Sequence, residues 1–488
     1  MSNRRTFLQR AFGAGAALCA GHRLYAQAMQ MQMPVGPASP AAQSKQPPTS
    51  PMFSTPVVTT EVGDLAYTVD GGTKVFHLVA EVLRQKIHPG KTIDAWGFNG
   101  SAPGPTIQVN QGDHVRVIFD NHLPEPSSIH WHGFEDMVGY DGMPGISQEP
   151  VKPGGRFVYE FDIHQAGTYF YHSHMAMQEM TGMLGGFIMH PSTPYYPHCD
   201  KDFLLHLQEY AVLPNNTVPN TMNMEYNWLL LNGKAGPAST PLIVRLGDRV
   251  RLRFVNLGMD HHPMHLHGYT FHVTGTEGGR IQESAWWPGN TVLVGVAQAR
   301  DVEIIADRPG DWMLHCHLPH HMMNQMSSNV GTMTRRPGQP AGVDMNTGMG
   351  MLQGTPGAPS GEDYGTSLGR GMGFGSTADM ATTNGPLSQE KAMQAMPGMP
   401  DVGDIAKNAN EMPGFPQDAY MEGPAMAMDQ MVDKPENYGL RPGWSGFMMG
   451  MMTFLRVLPP DKYEEVMARM KQAQRPNDPY EALLQRVS

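Results

Sequence analysis

Four stretches of the chain alternate apolar and polar residues with a period of two: residues 75–82, 114–119, 249–255 and 302–305. Each is rich in Val, Ile, Leu or Phe and is bounded by Gly, Pro, Asn or Asp, the pattern of half-buried β-strands closed by turns. No long helical periodicity accompanies them. The pattern therefore predicts an all-β chain built from sandwiches of two packed sheets.

The pattern occurs twice. Asn99-Gly100, Gly112-Asp113, Val115, Val117 and Asn121 are echoed by Asn232-Gly233, Gly247-Asp248, Val250, Leu252 and Asn256, at an offset of 133 rising to 135. The offset of 135 also carries His130, His132 and Gly133 onto His265, His267 and Gly268, and an offset of 143 carries Gly167, His172, Ser173 and His174 onto Gly310, His315, Cys316 and His317. Since a repeat fixes architecture, two tandem β-sandwich domains are expected, over residues 56–195 and 200–335. Residues 336–440 are rich in Met, Gly and Pro with little periodicity, the signature of a flexible, low-complexity region. Residues 441–488 are expected to end in short helices, because Asp461 with Glu464, and Asp478-Pro479 with Glu481, resemble helix N-caps with an acidic third position.

Composition sharpens this picture by position. All 22 histidines lie before residue 322, whereas 20 of the 40 methionines fall in the last 158 residues. The net charge of −11, with no Lys/Arg-rich run, argues against a nucleic-acid partner, whose affinity comes mainly from phosphate neutralisation. Three cysteines, Cys19, Cys199 and Cys316, exclude a disulfide scaffold. At the N-terminus Arg4-Arg5-Thr6-Phe7-Leu8, a weakly apolar run and Ala26-Gln27-Ala28 resemble a twin-arginine export signal over residues 1–28, followed by a linker over 29–55. The apolar run is too short and too rich in Gly and Ala to span a membrane. Export to the periplasm, an oxidising compartment, would leave Cys199 and Cys316 unpaired where cysteines usually pair.

The histidines fall into four clusters: His130-Trp131-His132, His172-Ser173-His174, His262 with His265 and His267, and His315-Cys316-His317 with His320 and His321. Residues i and i+2 of a strand share a face, so each H-x-H pair aims two imidazoles at one place. Eight such imidazoles with few carboxylates suit copper, zinc or iron rather than magnesium or calcium. His77, His88, His198 and His206 stand alone and are read as ordinary core or surface residues. Cys316, between two histidines, points to the opposite face and belongs to a second site. Two imidazoles, a thiolate and a weak thioether, from His262, His321, Cys316 and Met326, are the donor set of a blue-copper centre.

In these motifs, their order and the Cys316 spacings to His321 and Met326, residues 60–330 resemble the multicopper oxidases, the family of laccases and bacterial copper-tolerance oxidases. The resemblance implies cupredoxin-like domains and four coppers. A type 1 copper would sit on His262, Cys316, His321 and Met326, a type 2 copper on His130 and His265, and a type 3 pair on His132, His172, His174, His267, His315 and His317. It also implies one-electron oxidation of a phenol-type or metal-ion donor such as Cu(I), coupled to reduction of dioxygen to water. Asp141 matches the acid that the family places near the type 2 copper, and Cys316 with its flanking histidines the electron path. The position at which many relatives carry a second acid holds Met322.

Carried back through the repeat, His262, Cys316, His321 and Met326 fall on Ser127, Ser173, Gln178 and Met183, so the first domain lacks a type 1 site. With two domains rather than three, the chain is similar to the small laccases, which implies a homotrimer with the clusters between subunits. A copper nitrite reductase would instead carry its cysteine in the first domain. A non-catalytic periplasmic copper-binding protein would have no need of a cysteine between two cluster histidines. The recurring methionines, Met175, Met177, Met180 and Met183 and those of the tail, suit Cu(I) but serve equally as adaptable packing.

Overall fold

The computed structural model describes residues 55–322, apart from 90, 176, 213–216 and 222–225, and residues 429–473. The expected export signal and most of the linker, Met326, nearly all of the Met-rich region and the expected helix at Asp478 lie outside the described residues.

The first unit is a sandwich of two sheets. One holds β2 (Tyr67–Asp70), β3 (Thr73–His88), β6 (His114–Asn121) and β8 (Arg156–Asp162), with β4 (Lys91–Phe98) also paired to β3; the other runs β5 (Gly104–Asn110), β10 (Leu184–His190), β9 (Gly167–Ser173) and β7 (Ile129–His132). The predicted alternation is visible in β6, where Val115, Val117 and Phe119 turn into the core against Trp131, Tyr159 and Phe187. All four stretches of period-two alternation lie within strands: β3, β6, β14 (Arg249–Asn256) and β20 (Gln298–Ile305).

The second unit repeats the plan. Its first sheet runs β1 (Val57–Thr59), β11 (Lys201–Tyr210), β14, β20, β16 (Phe271–Thr276) and β17 (Gly279–Arg280), with β12 (Trp228–Leu231) and β18 (Trp287–Gly289) attached to β11 and β16. Its second sheet runs β13 (Leu242–Arg245), β22 (Met452–Leu458), β21 (Gly310–Cys316), β15 (His262–Leu266) and β19 (Thr291–Val294). Strand β22 comes from the segment expected to be helical. It pairs in parallel with β13 and antiparallel with β21, and it contributes Leu455 and Val457 to the core beside Val244 and Leu314. Only then does a helix follow, α1 (Pro460–Gln472), with Pro at its first turn and Val466 packed on Ile243 and Leu458. The C-terminal segment is therefore an integral part of the second sandwich rather than an appendix to it.

The two units meet across a face that is polar as well as apolar. Phe170, Leu184 and Ile188 pack on Leu204, Val255 and Leu257. Beside them the polar stripe of β14 is buried rather than solvated: Arg253 donates to both Asp202 oxygens at 2.7 and 2.8 Å and to Thr168 of the first unit at 2.6 Å, and Thr168 donates to Asp301 at 2.7 Å. Arg251 bridges Asp202 and Glu303, which also accepts from Arg249 and Arg280. Such charges are tolerated in the interior only because each is paired and hydrogen-bonded.

Two outcomes follow. A chain ending at residue 440 loses Met451, Leu455 and Val457, each fully buried; at ~2–4 kcal/mol for each large buried apolar side chain this rivals the whole stability of a domain. Its thermal unfolding, followed by circular dichroism, should lack the cooperative transition of the second unit, and a midpoint equal to that of the full chain would refute the integral role of β22. Burial by itself would raise the Glu303 carboxyl, but Arg251 and Arg280 outweigh it and hold the group at about 2, below its ordinary 4.5. The stabilisation is thus complete above about 4.5 and is lost as pH falls towards about 2. Glu303→Gln should flatten that acid limb of a stability–pH profile measured by denaturant titration.

Candidate metal centres

Strand register brings the H-x-H pairs together in the same way in both units. In the first, β7 and β9 set His130 directly opposite His172; in the second, β15 and β21 set His265 opposite His315. The result is two four-histidine clusters. In one, the His130 ring lies 5.4, 5.3 and 5.2 Å from those of His132, His172 and His174. In the other, the His265 ring lies 4.9, 5.5 and 5.3 Å from those of His267, His315 and His317. No ring contact joins the two clusters among the described residues. His317 is exposed and His265 and His267 are half-buried, so the second cluster opens onto the surface.

The outer nitrogens are held by matching backbone partners. His130 Nδ1 donates to the Asp141 carbonyl and His265 Nδ1 to the Asn290 carbonyl, both at 2.7 Å. His172 and His315 donate through Nδ1 to the carbonyls of Ser173 and Cys316, at 2.9 and 2.7 Å. These bonds fix the tautomer and leave each Nε2 lone pair facing the cluster. Burial and neighbouring imidazoles lower His172 to about 3 and His132 to about 4, and burial lowers His267 and His315, so these rings are neutral and available as ligands at neutral pH. His267 Nε2 lies only 3.0 Å from His315 Nε2, an approach of ring nitrogens that a shared cation satisfies.

The third group is entirely buried. His262, Cys316 and His321 come from β15, the end of β21 and the 3-10 turn Pro319–Met322 beyond it, with no exposed surface on any of them. The two Nδ1 atoms lie 3.1 Å apart, and Cys316 Sγ is 3.7 and 3.5 Å from them. Each imidazole is oriented from behind by a carboxylate: His262 Nε2 donates to Glu209 at 3.1 Å, and His321 Nε2 lies 3.4 Å from Asp260. Burial raises the Cys316 thiol to about 12, so forming the thiolate is coupled to binding a cation. Two imidazole nitrogens and a sulfur converging in a dry pocket fit a soft transition metal.

In the first unit Ser127, Ser173 and Gln178 occupy the equivalent place. Their side chains bond to one another, with Gln178 Oε1 accepting from the two hydroxyls at 2.9 and 2.7 Å. A neutral hydrogen-bonded cluster stands where the second unit gathers metal donors.

Two family models described as "Multicopper oxidase" match residues 81–194 and 210–335. The chain belongs to the multicopper oxidases. It is 27% identical over 304 residues to the copper resistance protein A homolog of Pseudomonas syringae pv. tomato, covering 52% of this chain and 50% of that protein. It is 31% identical over 247 residues to laccase-2 of Botryotinia fuckeliana, covering 46% of this chain and 41% of that one. The chain thus spans about half the length of the curated relatives it matches. Among solved structures it is similar to the blue copper oxidase from Nitrosomonas europaea, at 30% identity and a TM-score of 0.47, over 51% of this chain and 81% of that one. The cofactor of the family is copper, at type 1, 2 and 3 sites, and the three donor groups suit it chemically.

Every histidine assigned above as a ligand, and Cys316, therefore lies in one of three groups, while Met326 lies outside the described residues. Asp141 stands beside His130, its carbonyl on the ring and its carboxylate 3.4 Å from Nδ1. Three carboxylates escaped the sequence reading, Asp260 behind His321 being one. Glu209 backs His262, and Glu179 lies 3.3 Å from His172, its carboxyl raised to about 7 by burial and by the charge of Glu209. No spacing signals them: Glu209 reaches His262 from β11, Asp260 reaches His321 from the loop between β14 and β15, and Glu179 reaches His172 from the turn after β9. The Asp141 loop depends on Gly142, whose φ of +82° and close approach to β7 leave no room for a side chain: an added Cβ would lie 1.8 Å from the Ile129 carbonyl oxygen. Gly142→Ala should lower the melting temperature and the copper bound per chain, read by calorimetry and elemental analysis. Full copper content with unchanged melting would show that the loop is not needed to hold His130.

Proposed function

We propose that the protein is a two-domain oxidase that takes single electrons from a donor at a buried thiolate–imidazole site and delivers them to dioxygen at a histidine cluster. The observation that carries this reading is the strand end His315-Cys316-His317, which turns Cys316 into the buried donor group and His315 and His317 into the open cluster. Copper bound at these sites supplies one-electron acceptance at the first and four-electron reduction of oxygen to water at the second.

The residues divide the work. His262, Cys316 and His321 are the type 1 ligands, with Glu209 and Asp260 fixing the imidazoles and burial excluding water. His130 and His265 are the type 2 ligands; His132, His172, His174, His267, His315 and His317 are the type 3 ligands. Asp141, beside His130 with its carboxylate partly open to solvent, handles protons at the cluster. The two half-clusters lie apart in one chain, and the second opens to the surface, which favours a complete site formed between the first domain of one subunit and the second domain of the next, as in a homotrimer. The twin-arginine motif at Arg4-Arg5 supports export to the periplasm. Among the described residues no helix is long and apolar enough to cross a membrane. The soft thioethers of the Met-rich region suit Cu(I) as a donor, which sets a role in copper tolerance beside the oxidation of a phenol. A nitrite reductase reading is disfavoured by the bonded Ser127, Ser173 and Gln178 in the first unit.

Copper-loaded protein should consume oxygen when supplied with Cu(I) or a phenol, and Cys316→Ser should abolish both uptake and the blue absorption. Co-expressed His132→Ala and His267→Ala chains, each inactive alone, should regain uptake, because some interfaces then pair two intact halves. Blue protein that consumes no oxygen would sink the oxidase reading, and failure of the mixed chains to recover would sink the shared site.

A further inference from the structure

We propose that the weak axial ligand of the thiolate site is Met451, which returns to the site 130 residues after His321, and not Met326. The assignment rests on the copper reading above, and two independent observations carry it.

The first is local geometry. Strand β22 pairs with β21 so that Met452 lies opposite His315. One step along that register, Cys316 N–H donates to the Met451 carbonyl at 3.0 Å, which sets Met451 opposite Cys316. Residues directly opposite on antiparallel strands place their side chains on the same face, with Cβ atoms ~4.5–5.5 Å apart. Accordingly Cys316 and Met451 are both fully buried in the same core. Met451 N–H in turn donates to the His321 carbonyl at 2.9 Å, so its backbone is tied to two residues of the donor set at once. Further bonds fix the approach: Gly236 pairs with Gly450, and Ser239 donates to the Met452 carbonyl at 2.5 Å.

The second is the internal repeat, now read in space. In the first unit β10 pairs in parallel with β5 and antiparallel with β9, as β22 does with β13 and β21. Leu184 lies opposite His172, and Met452 opposite His315. Ser173 N–H donates to the Met183 carbonyl at 3.0 Å, just as Cys316 N–H does to Met451. The repeat therefore equates Met183 with Met451. Counting along the chain equated it with Met326, because residues 323–428 intervene between the histidine ligand and the strand that follows it. Met264 also lies opposite Cys316, on the other side, and is fully buried. It has no counterpart of the bond to His321, sits in mid-strand two residues from His262, and serves as a packing control.

The axial donor tunes the potential of such a site, so the test reads the copper-loaded, full-length protein by redox titration, visible absorption and electron paramagnetic resonance. Met451→Gln substitutes a harder amide oxygen that favours the cupric state and should lower the potential and alter the spectra. Met451→Leu keeps the side-chain volume, removes the donor and should raise the potential, which keeps the test open if the glutamine variant does not fold. Met326→Gln and Met264→Leu should both leave potential and spectra at the wild-type values. A shift with Met326→Gln or Met264→Leu, or wild-type behaviour in both Met451 variants, overturns the assignment. Absence of the blue thiolate band from the copper-loaded wild type would overturn the copper reading itself, a distinct outcome.

Discussion

The site depends on a single property of an extended strand, that neighbouring side chains leave on opposite faces. At the end of β21, Cys316 enters the core between β15 and β22 while His315 and His317 join the open histidine cluster. No helix or loop would impose this separation over three residues. It allows a dry sulfur site and an open imidazole site to be one peptide unit apart without sharing a donor. The thiol needs burial to exclude water and competing ligands; the imidazoles beside it need a face that stays open, as His317 is exposed and His265 and His267 half-buried. Both conditions are met because the two faces of one sheet have different environments.

Duplication explains how two such units came to differ. Register, backbone partners and ring spacings around His130 and His265 agree closely, since strand pairing fixes them and any slip would send the imidazoles to the wrong face. The interior position is freer. Where the second unit carries His262, Cys316 and His321, the first carries two hydroxyls and an amide that satisfy one another. A buried polar cluster persists only when its members are bonded, either among themselves or to a metal. The arginine stripe of β14 obeys the same rule. Arg251 and Arg253 are buried between the units and compensated by Asp202, Asp301 and Glu303, which gives the joint direction as well as contact.

Much of this was legible because it is local. The period-two alternation marked β3, β6, β14 and β20, the i and i+2 histidines declared their shared faces, and repeat offsets paired the halves. The residues that escaped do so for a common reason. Glu209 reaches His262 from β11, and Glu179 reaches His172 because the chain turns back after β9, contacts that only folding makes. The alternation of β14 reads as one wet face until a second unit covers it. Strand β22 is a short apolar run, Met452–Leu458 between Gly450 and Pro459, in a Met-rich background that masks it.

By itself, then, the sequence determined the all-β class, the duplication and the face that each pair of histidines shares, because these follow from residue type and from contacts a few positions apart. Only the tertiary structure decided which strand closes the second sandwich and what lies opposite Cys316. Strand pairing across long loops is set by which edge can complete a sheet and bury its apolar face, and loop-closure entropy grows too slowly with length for distance along the chain to forbid it. An intervening segment of any composition can thus separate Met451 from His321 in sequence and leave them hydrogen-bonded in space.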